Sequence, residues 1–325
     1  MRSETIAEPA VGVQTCSHPG EAGVEALTII NDCGYPDLVP LLASPSRQTT
    51  VRRCVWVDGR LYCGDEAPTI SATDHGLVVG DGVFETLKVT GDGAFAIRRH
   101  LARLTRSAAA LGLPAPDHDQ LREAIEAVLA DRDFTEGKLR ITYTGGAGPL
   151  GSHAAYGPPT LVVAAEASPH PPATTAVVTA PWSRNEHGAL AGVKSISYAE
   201  NVRALAWATE RGASEAIFLN TARNVCEGTG TNLFCVFGDT VVTPPLSSGP
   251  LAGITRELLL EWCEIIEGDL TLTEALAADE VFITSSLRDV QRVDLWGDTV
   301  FSPERPRTER ISRSFDERAG ADPDP

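Results

Sequence analysis

The chain has 325 residues, 42% of them apolar, a formal net charge of −17 and a pI near 4.8. That balance describes a globular protein of one large or two medium domains, and its acidity argues against a nucleic acid or an anionic membrane as partner. No apolar stretch approaches the ~18 residues of a membrane span, and the N-terminus lacks the basic region and apolar run of a signal peptide.

Seven cysteines (Cys16, Cys33, Cys54, Cys63, Cys226, Cys235 and Cys263) are scattered without a CxxC or other metal-ligand spacing. The sequence therefore predicts mostly reduced thiols, no metal centre and a cytoplasmic protein.

Residues 1–52 carry many prolines and little periodicity, with one apolar patch, "ALTIIND". They read as an N-terminal extension of uncertain order. "CVWVDGRLYC" then gives two β-rich runs around Asp58-Gly59, a hairpin signal. "VFETLKVT" and "AFAIR" flank Gly91-Asp92-Gly93 as a second hairpin. In "RHLARLTRSAAALGL", Leu101, Leu104, Ala108 and Leu111 fall at helical spacing, and the helix should stop near Gly112. "DHDQLREAIEAVLADRDF" is a second amphipathic helix with Asp117 or Asp119 as cap. "KLRITYT" and "TLVVAAEA" are strands.

"SPHPPATT", Ser168 to Thr175, reads as an extended linker. It divides a domain over 53–167 from one over 176–318. The second half holds the strands "AVVTAPW", "EAIFLN", "NLFCVF", "TVVTP", "EVFITSSL" and "VQRVDLW". Its helices are "YAENVRALAWATERG" and "TRELLLEWCEII", with another near "ERISRSFDERAG" before a tail at 319–325. Short strands mixed with a few helices indicate an α+β architecture, and the lack of regular βαβ alternation disfavours a Rossmann fold.

Only three lysines occur (Lys88, Lys138 and Lys194) against 24 arginines. A lysine amine can lose its proton and attack a carbonyl, which arginine cannot. Lys194, in "GVKSISYAEN", is thus a candidate nucleophile, or else a surface lysine. Glu227 lies in the Gly/Thr-rich "NVCEGTGTNLF", which is either a ligand-approaching turn or a plain hairpin. Gly253-Ile254-Thr255 opens a helix, as an anion site or only a cap. Ser285 and Ser286 follow a strand, where hydroxyls bind phosphate or begin a turn. Arg103, one turn after His100, is solvent-facing unless a phosphate lies near.

Six segments occur in order: "DHGLVVGDGVFETLKV", "HLARLTRSA", "GVKSISYAENVRALAWA", "CEGTGTNLF", "TPPLSSGPLAGITRELL" and "ADEVFITSSLRDV". Over roughly residues 54–300 the chain resembles the class IV, or fold-type IV, pyridoxal-phosphate aminotransferases. That family includes branched-chain and D-amino-acid aminotransferases and aminodeoxychorismate lyases. The resemblance implies a two-domain enzyme, a small α/β domain followed by a larger one with a mixed, barrel-like β core.

It also implies that Lys194 forms the Schiff base with pyridoxal 5′-phosphate and that Glu227 pairs with the pyridine nitrogen. Arg103, Ile254, Thr255 and Ser286 would hold the phosphate, with Ser285 also among the cofactor-binding residues. Tyr198 would lie beside the ring, Gly230, Thr231 and Asn232 would also contact the cofactor, and Phe84 would lie at the substrate pocket. Members of the lyase and D-specific branches often carry an arginine where Thr144 stands. Tyr143, Arg140 or Arg184 are then the candidates for the carboxylate clamp. Val79 replaces a frequent aromatic, while "VFETLKV" and "RNEHGALAGVK" lean toward the lyase branch.

The leading expectation is an aminotransferase acting on amino and 2-oxo acids. A lyase releasing 4-aminobenzoate and pyruvate, and a cofactor-binding protein without turnover, are the alternatives. Analogy with the family implies a homodimer.

Overall fold

The computed structural model describes residues 54–64, 66–130, 132–153 and 157–325. The expected N-terminal extension, with its "ALTIIND" patch, lies outside the described residues. Strands β1 (Cys54–Val57) and β2 (Arg60–Cys63) meet at Asp58 and Gly59, whose φ values of 46° and 93° make the tight turn that Asp-Gly favours. This register sets Cys54 opposite Cys63, and the two form a disulfide. The expectation of mostly reduced cysteines is corrected at this pair, because the hairpin brings its Cα atoms to 4.4 Å. Cys226, Cys235 and Cys263 are free thiols.

Helix α1 (His75–Val78) starts on Asp74, which accepts from the Gly76 N–H. Strands β3 (Gly82–Thr90) and β4 (Gly93–Ala94) form the second hairpin. Its second arm is shorter than "AFAIR" implies, because Ala96 turns left-handed (φ 55°) and α2 (Ile97–Ala110) takes Ile97 and Arg98. Helix α3 (His118–Ala130) and strands β5 (Gly137–Thr144) and β6 (Thr160–Ala167) follow.

The sheet order is β2-β1-β6-β5-β3-β4, antiparallel throughout. Successive strand residues point to opposite faces. One face presents Val83, Leu87, Leu139, Ile141 and Leu161 to Leu101, Leu104, Leu121 and Ile125 of α2 and α3. The other carries Phe84, Thr86, Lys138 and Arg140 into a cavity.

The second sheet begins with β7 (Thr174–Arg184), inside the proline-rich stretch read as linker. After α4 (Ala199–Thr209) come β8 (Glu215–Asn220), β9 (Val225–Gly228), β10 (Asn232–Phe237) and β11 (Thr240–Thr243). Helix α5 (Ile254–Trp262) ends earlier than "TRELLLEWCEII" suggests. Cys263 is extended, and the short β12 (Ile266–Glu267) pairs with β11 instead. Helix α6 (Leu272–Leu276) starts on a Thr271–Glu274 capping box. Strands β13 (Glu280–Ser285), β14 (Asp289–Trp296) and β15 (Thr299–Val300) and helix α7 (Pro306–Ala321) complete the chain. The order is β12-β11-β10-β13-β14-β7-β8-β9, with β15 on β14. The sheet is mixed: β7 runs parallel to both β14 and β8.

Helix α7 extends into the expected tail, and the last residues fold back onto α2. Ala96 offers α2 no side-chain cap. Asp324 supplies one from far along the chain: its Oδ1 accepts from the Arg98 N–H (2.8 Å) and its Oδ2 from Arg98 Nε (3.0 Å). The Pro323 carbonyl accepts from Ala96 N–H (2.8 Å). Replacing a capping carboxylate by alanine costs about 0.5–2 kcal/mol. Urea unfolding should therefore find Asp324→Ala less stable by that amount and Asp324→Asn close to the parent.

Candidate active site

The two sheets meet where the segment before α4 crosses β3. Phe84 N–H donates to the Lys194 carbonyl (3.0 Å) and Ile196 N–H to the Gly82 carbonyl (2.9 Å). Ser107 Oγ accepts from Lys194 N–H (3.3 Å). With its backbone fixed on three sides, Lys194 sends its side chain into a cavity of about 1100 Å³. Its Nζ sits 4.3 Å from the centre of the Phe84 ring. Burial, reinforced by the nearby Arg103 charge, pushes the amine down to about 8.

Glu227 lies on β9 and lines the same cavity. Its Oε2 accepts from the Leu251 N–H (2.8 Å), and its Oε1 is 3.7 Å from Arg184 Nε. Burial raises its pKa, opposed chiefly by the Arg184 charge. Tyr198 packs edge-on against Phe84 at 5.3 Å and donates to the Thr229 carbonyl (2.7 Å); burial pushes its phenol up to about 12.

The loop after Glu227 is shaped by a residue that the sequence did not single out, Glu215. This buried carboxylate accepts from Thr229 N–H (2.8 Å) and Thr231 Oγ (3.1 Å). Gly230 and Thr231 are thereby held at the cavity wall, beside Asn232, whose amide donates to the Leu251 carbonyl (2.9 Å). The available signal was an acid opening the strand "EAIFLN" ahead of four apolar residues.

At the other end stand Arg103, Ile254, Thr255, Ser285 and Ser286. Arg103 is not solvent-facing. Its Nε and Nη2 grip Glu85 (2.8 and 2.6 Å), and its Nη1 donates to the Ala252 carbonyl (2.8 Å). Five N–H groups minus these three leave two for a ligand. Glu85, also not singled out by the sequence, interrupts the apolar face of β3 and is fully buried. Burial opposes its ionisation, yet Arg103 and His100 hold it at about 2. His100 Nδ1 lies 2.7 Å from Glu85, and its Nε2 lies 3.4 Å from Ser286 Oγ. Ser285 Oγ instead accepts from the Arg288 N–H (3.2 Å).

Helix α5 has no side-chain cap at Gly253, so the N–H groups of its first turn are open to an anion. A Cβ on Gly253 would meet Asn232 Oδ1 at 2.0 Å, so only glycine allows this close approach.

Of the candidate carboxylate clamps, the structure brings Arg140 alone into a position to serve. Its guanidinium lies 4.0 Å over the Phe84 ring, its Nε donates to Thr142 Oγ (3.2 Å), and no carboxylate pairs with it among the described residues. Tyr143 is corrected: it lies on the opposite face of β5, packed in the core under α2 and α3. Thr144 is also away from the cavity, donating to Asp74 Oδ2 (2.9 Å). Arg184 lines the cavity, but its terminal nitrogens are engaged by Glu200 (2.6 Å) and Asn201 (3.2 and 3.3 Å). Three of its five N–H groups are thus taken and Glu200 balances its charge.

An amine that can lose its proton, a carboxylate facing it and a cationic cradle with an open helix N-terminus fit pyridoxal phosphate. Among the described residues, no group of three or more His, Cys, Asp or Glu could hold a metal ion, and no helix is long and apolar enough to cross a membrane.

The profile of the amino-transferase class IV family matches residues 82–296. The chain is 29% identical to a D-alanine aminotransferase of Bacillus licheniformis, over 73% of this chain and 86% of that one. It is 32% identical to the bifunctional aminodeoxychorismate lyase / D-amino acid transaminase of Mycobacterium tuberculosis, over 60% and 72%. The crystal structure of a branched-chain aminotransferase from Thermoproteus uzoniensis with norvaline superposes with a TM-score of 0.76 at 27% identity, covering 82% and 94%.

Glu85 carries a stability signature. Its carboxyl is depressed from 4.5 to about 2 in the folded state, so its contribution is present above the unfolded value and lost as pH falls through the folded one. The shift is worth about 3 kcal/mol. Unfolding of the cofactor-free protein followed between pH 6 and 2 should show this loss, and Glu85→Gln should flatten it while lowering stability at neutral pH.

Proposed function

The chain belongs to the class IV amino-transferases, pyridoxal-phosphate enzymes that move an amino group between an amino acid and a 2-oxo acid, and we propose that it does so through Lys194. When bound, pyridoxal phosphate supplies an aldehyde for the amino group and a protonated ring that takes up the electron pair left when a Cα–H bond breaks. Lys194 Nζ would hold the aldehyde carbon and, once released by the incoming amine, carry the proton removed from Cα. Glu227 would keep the ring nitrogen protonated. Arg103, the Ile254 and Thr255 amides and Ser286 would bind the phosphate. The observation that carries this reading is the Lys194 amine, buried in one cavity with Glu227 and Arg103 and pushed down to about 8.

Arg140 would recognise the substrate carboxylate, a role supported by its stacking on Phe84 and by its having no carboxylate partner among the described residues. A second reading, the lyase that gives 4-aminobenzoate and pyruvate, uses the same lysine and is favoured by the 32% identity to a bifunctional lyase and transaminase. A homodimer belongs to the proposal, supported by the exposed Val202, Leu205 and Trp182 around α4. Freedom from nucleic acid and membrane is supported by the net charge of −17. A cytoplasmic location is supported by the three cysteines that are free thiols among the described residues and opposed by the Cys54–Cys63 disulfide.

The deciding experiment loads the protein with pyridoxal phosphate and follows its absorbance on adding D- and L-amino acids, alongside 4-aminobenzoate release from aminodeoxychorismate. Build-up of the pyridoxamine form supports transamination; aromatic product without it supports the lyase. Borohydride should fix the cofactor on Lys194, and failure to do so, or retained turnover in Lys194→Ala, sinks both readings. Because the amine is neutral only above its pKa, cofactor capture by the empty protein should accelerate as pH rises through about 8. Arg140→Met removes charge-assisted hydrogen bonds worth about 1.5–3 kcal/mol. It should therefore raise KM for the acid substrate roughly 10- to 100-fold and, because the Arg140 charge is one of those that lower Lys194, move cofactor capture slightly to higher pH.

A further inference from the structure

Arg184 has one nitrogen whose position its other contacts do not explain. Its guanidinium is stacked 4.3 Å over the Phe218 ring, and Nη1 and Nη2 are held by Glu200 and Asn201. The Nε is buried without a hydrogen-bond partner and lies 3.7 Å from Glu227 Oε1. That is close enough for a strong charge interaction and too long for a hydrogen bond. Glu227 Oε2 is anchored by the Leu251 N–H, so Oε1 is the oxygen left for a ligand.

The charged and titratable groups around Glu227 come from every element packed on it. Arg184 comes from β7, Lys194 and Tyr198 from the segment before α4, and Glu215 from β8. Cys226 is its neighbour on β9, and Glu200 of α4 stands behind Arg184. Lys194 is the other cation, and it must be neutral to react. When it is, Arg184 is the charge left, beside the Leu251 N–H hydrogen bond, to oppose the burial of Glu227 and its repulsion by Glu215.

We propose that Arg184 is a positioning residue that keeps the Glu227 carboxylate ionised and turned into the cavity, and that it does not bind substrate. This rests on the reading of Glu227 as the partner of the ring nitrogen. A carboxylic acid there would have no charge with which to hold that nitrogen protonated. The geometry suits this role, because the stack on Phe218 and the ties to Glu200 and Asn201 fix the guanidinium plane and thereby aim Nε at one oxygen. Asn201 also donates to the Thr229 carbonyl, so the arginine is tied to the loop that follows Glu227.

The test uses the full chain with Arg184→Gln, Arg184→Lys, Glu227→Gln and the double variant Arg184→Gln/Glu227→Gln. The first readout is the carboxyl titration of Glu227 by infrared difference spectroscopy on cofactor-free protein, assigned by its loss in Glu227→Gln. Removing an opposite charge raises a carboxyl pKa by about 1–3 units. Arg184→Gln should show that rise, and Arg184→Lys a smaller one. The second readout is the pH profile of amino transfer by protein loaded with pyridoxal phosphate. Its acid limb should move upward in Arg184→Gln by the same amount, so that the rate on that limb falls roughly tenfold per unit of rise and recovers at alkaline pH, with KM little changed. In the Glu227→Gln background, Arg184→Gln should cost no further cofactor affinity.

A folded Arg184→Gln protein in which Glu227 titrates as in the parent overturns the proposal. So does an additional loss of affinity in the double variant, which would assign Arg184 to scaffolding, and so does a rise in KM alone. If Arg184→Gln does not fold, Arg184→Lys carries the same titration. If Glu227→Gln leaves cofactor affinity and absorbance intact, the role of Glu227 toward the cofactor fails instead, and the infrared titration still decides what Arg184 does.

Discussion

The backbone crossing between β3 and the segment that carries Lys194 is the contact on which the rest of the site depends. Two hydrogen bonds and the Val83–Ser195 bridge join the first sheet to the chain entering α4. The crossing is possible because residue 82 is glycine. A Cβ there would come within 2.8 Å of both Ile196 Cδ1 and the Tyr143 carbonyl. From this one junction the first sheet supplies Phe84 and Arg140, while β9 and α5 of the second half supply Glu227 and the open helix N-terminus. The cavity is the gap that the crossing leaves between the two sheets.

A single buried ion pair then sets the electrostatics of that gap. A desolvated carboxylate and guanidinium are worth keeping only when their remaining valences are met. Glu85 meets the condition by accepting from Arg103 twice and facing His100. With its charge balanced, Arg103 is fixed in one orientation and still turns two N–H groups to the cavity. The same guanidinium adds to the burial that lowers Lys194. On the proposed reading, anion binding and amine activation would thus be two effects of one side chain, which α2 presents and the C-terminal residues help to cap.

What is legible in the sequence follows from which residue types are chemically unusual where they stand. Lys194 is conspicuous because arginine fills nearly every other cationic position, and the glycines around Glu227 and before Thr255 mark close backbone approach. Glu85 and Glu215 are hidden because each sits within an apolar strand and looks like a lapse in the pattern; only the fold reveals that partners wait for them. Periodicity alone contains two further constraints. Arg140 and Tyr143 are three residues apart on a strand, so they face opposite sides and cannot both reach one pocket. A two-residue turn at Asp58-Gly59 pairs 57 with 60 and therefore 54 with 63, which places the two cysteines side by side. Arg184 is not readable in this way, since which groups occupy its fork depends on the docking of α4 against β7.

The choice between lysine and arginine in the cavity divides the labour by acidity. Arginine is charged at any working pH, so on the proposed reading Arg103, Arg140 and Arg184 would serve as fixed positive points for phosphate, carboxylate and Glu227. Lys194 alone can cross between charged and neutral near physiological pH. This also reconciles a net charge of −17 with anionic ligands. At physiological salt, exposed charges more than about 8 Å away are screened, whereas those within a buried site are not. On the proposed reading, a carboxylate entering the cavity would be governed by the Arg140 fork beside Phe84 and hardly by the acidic surface behind it.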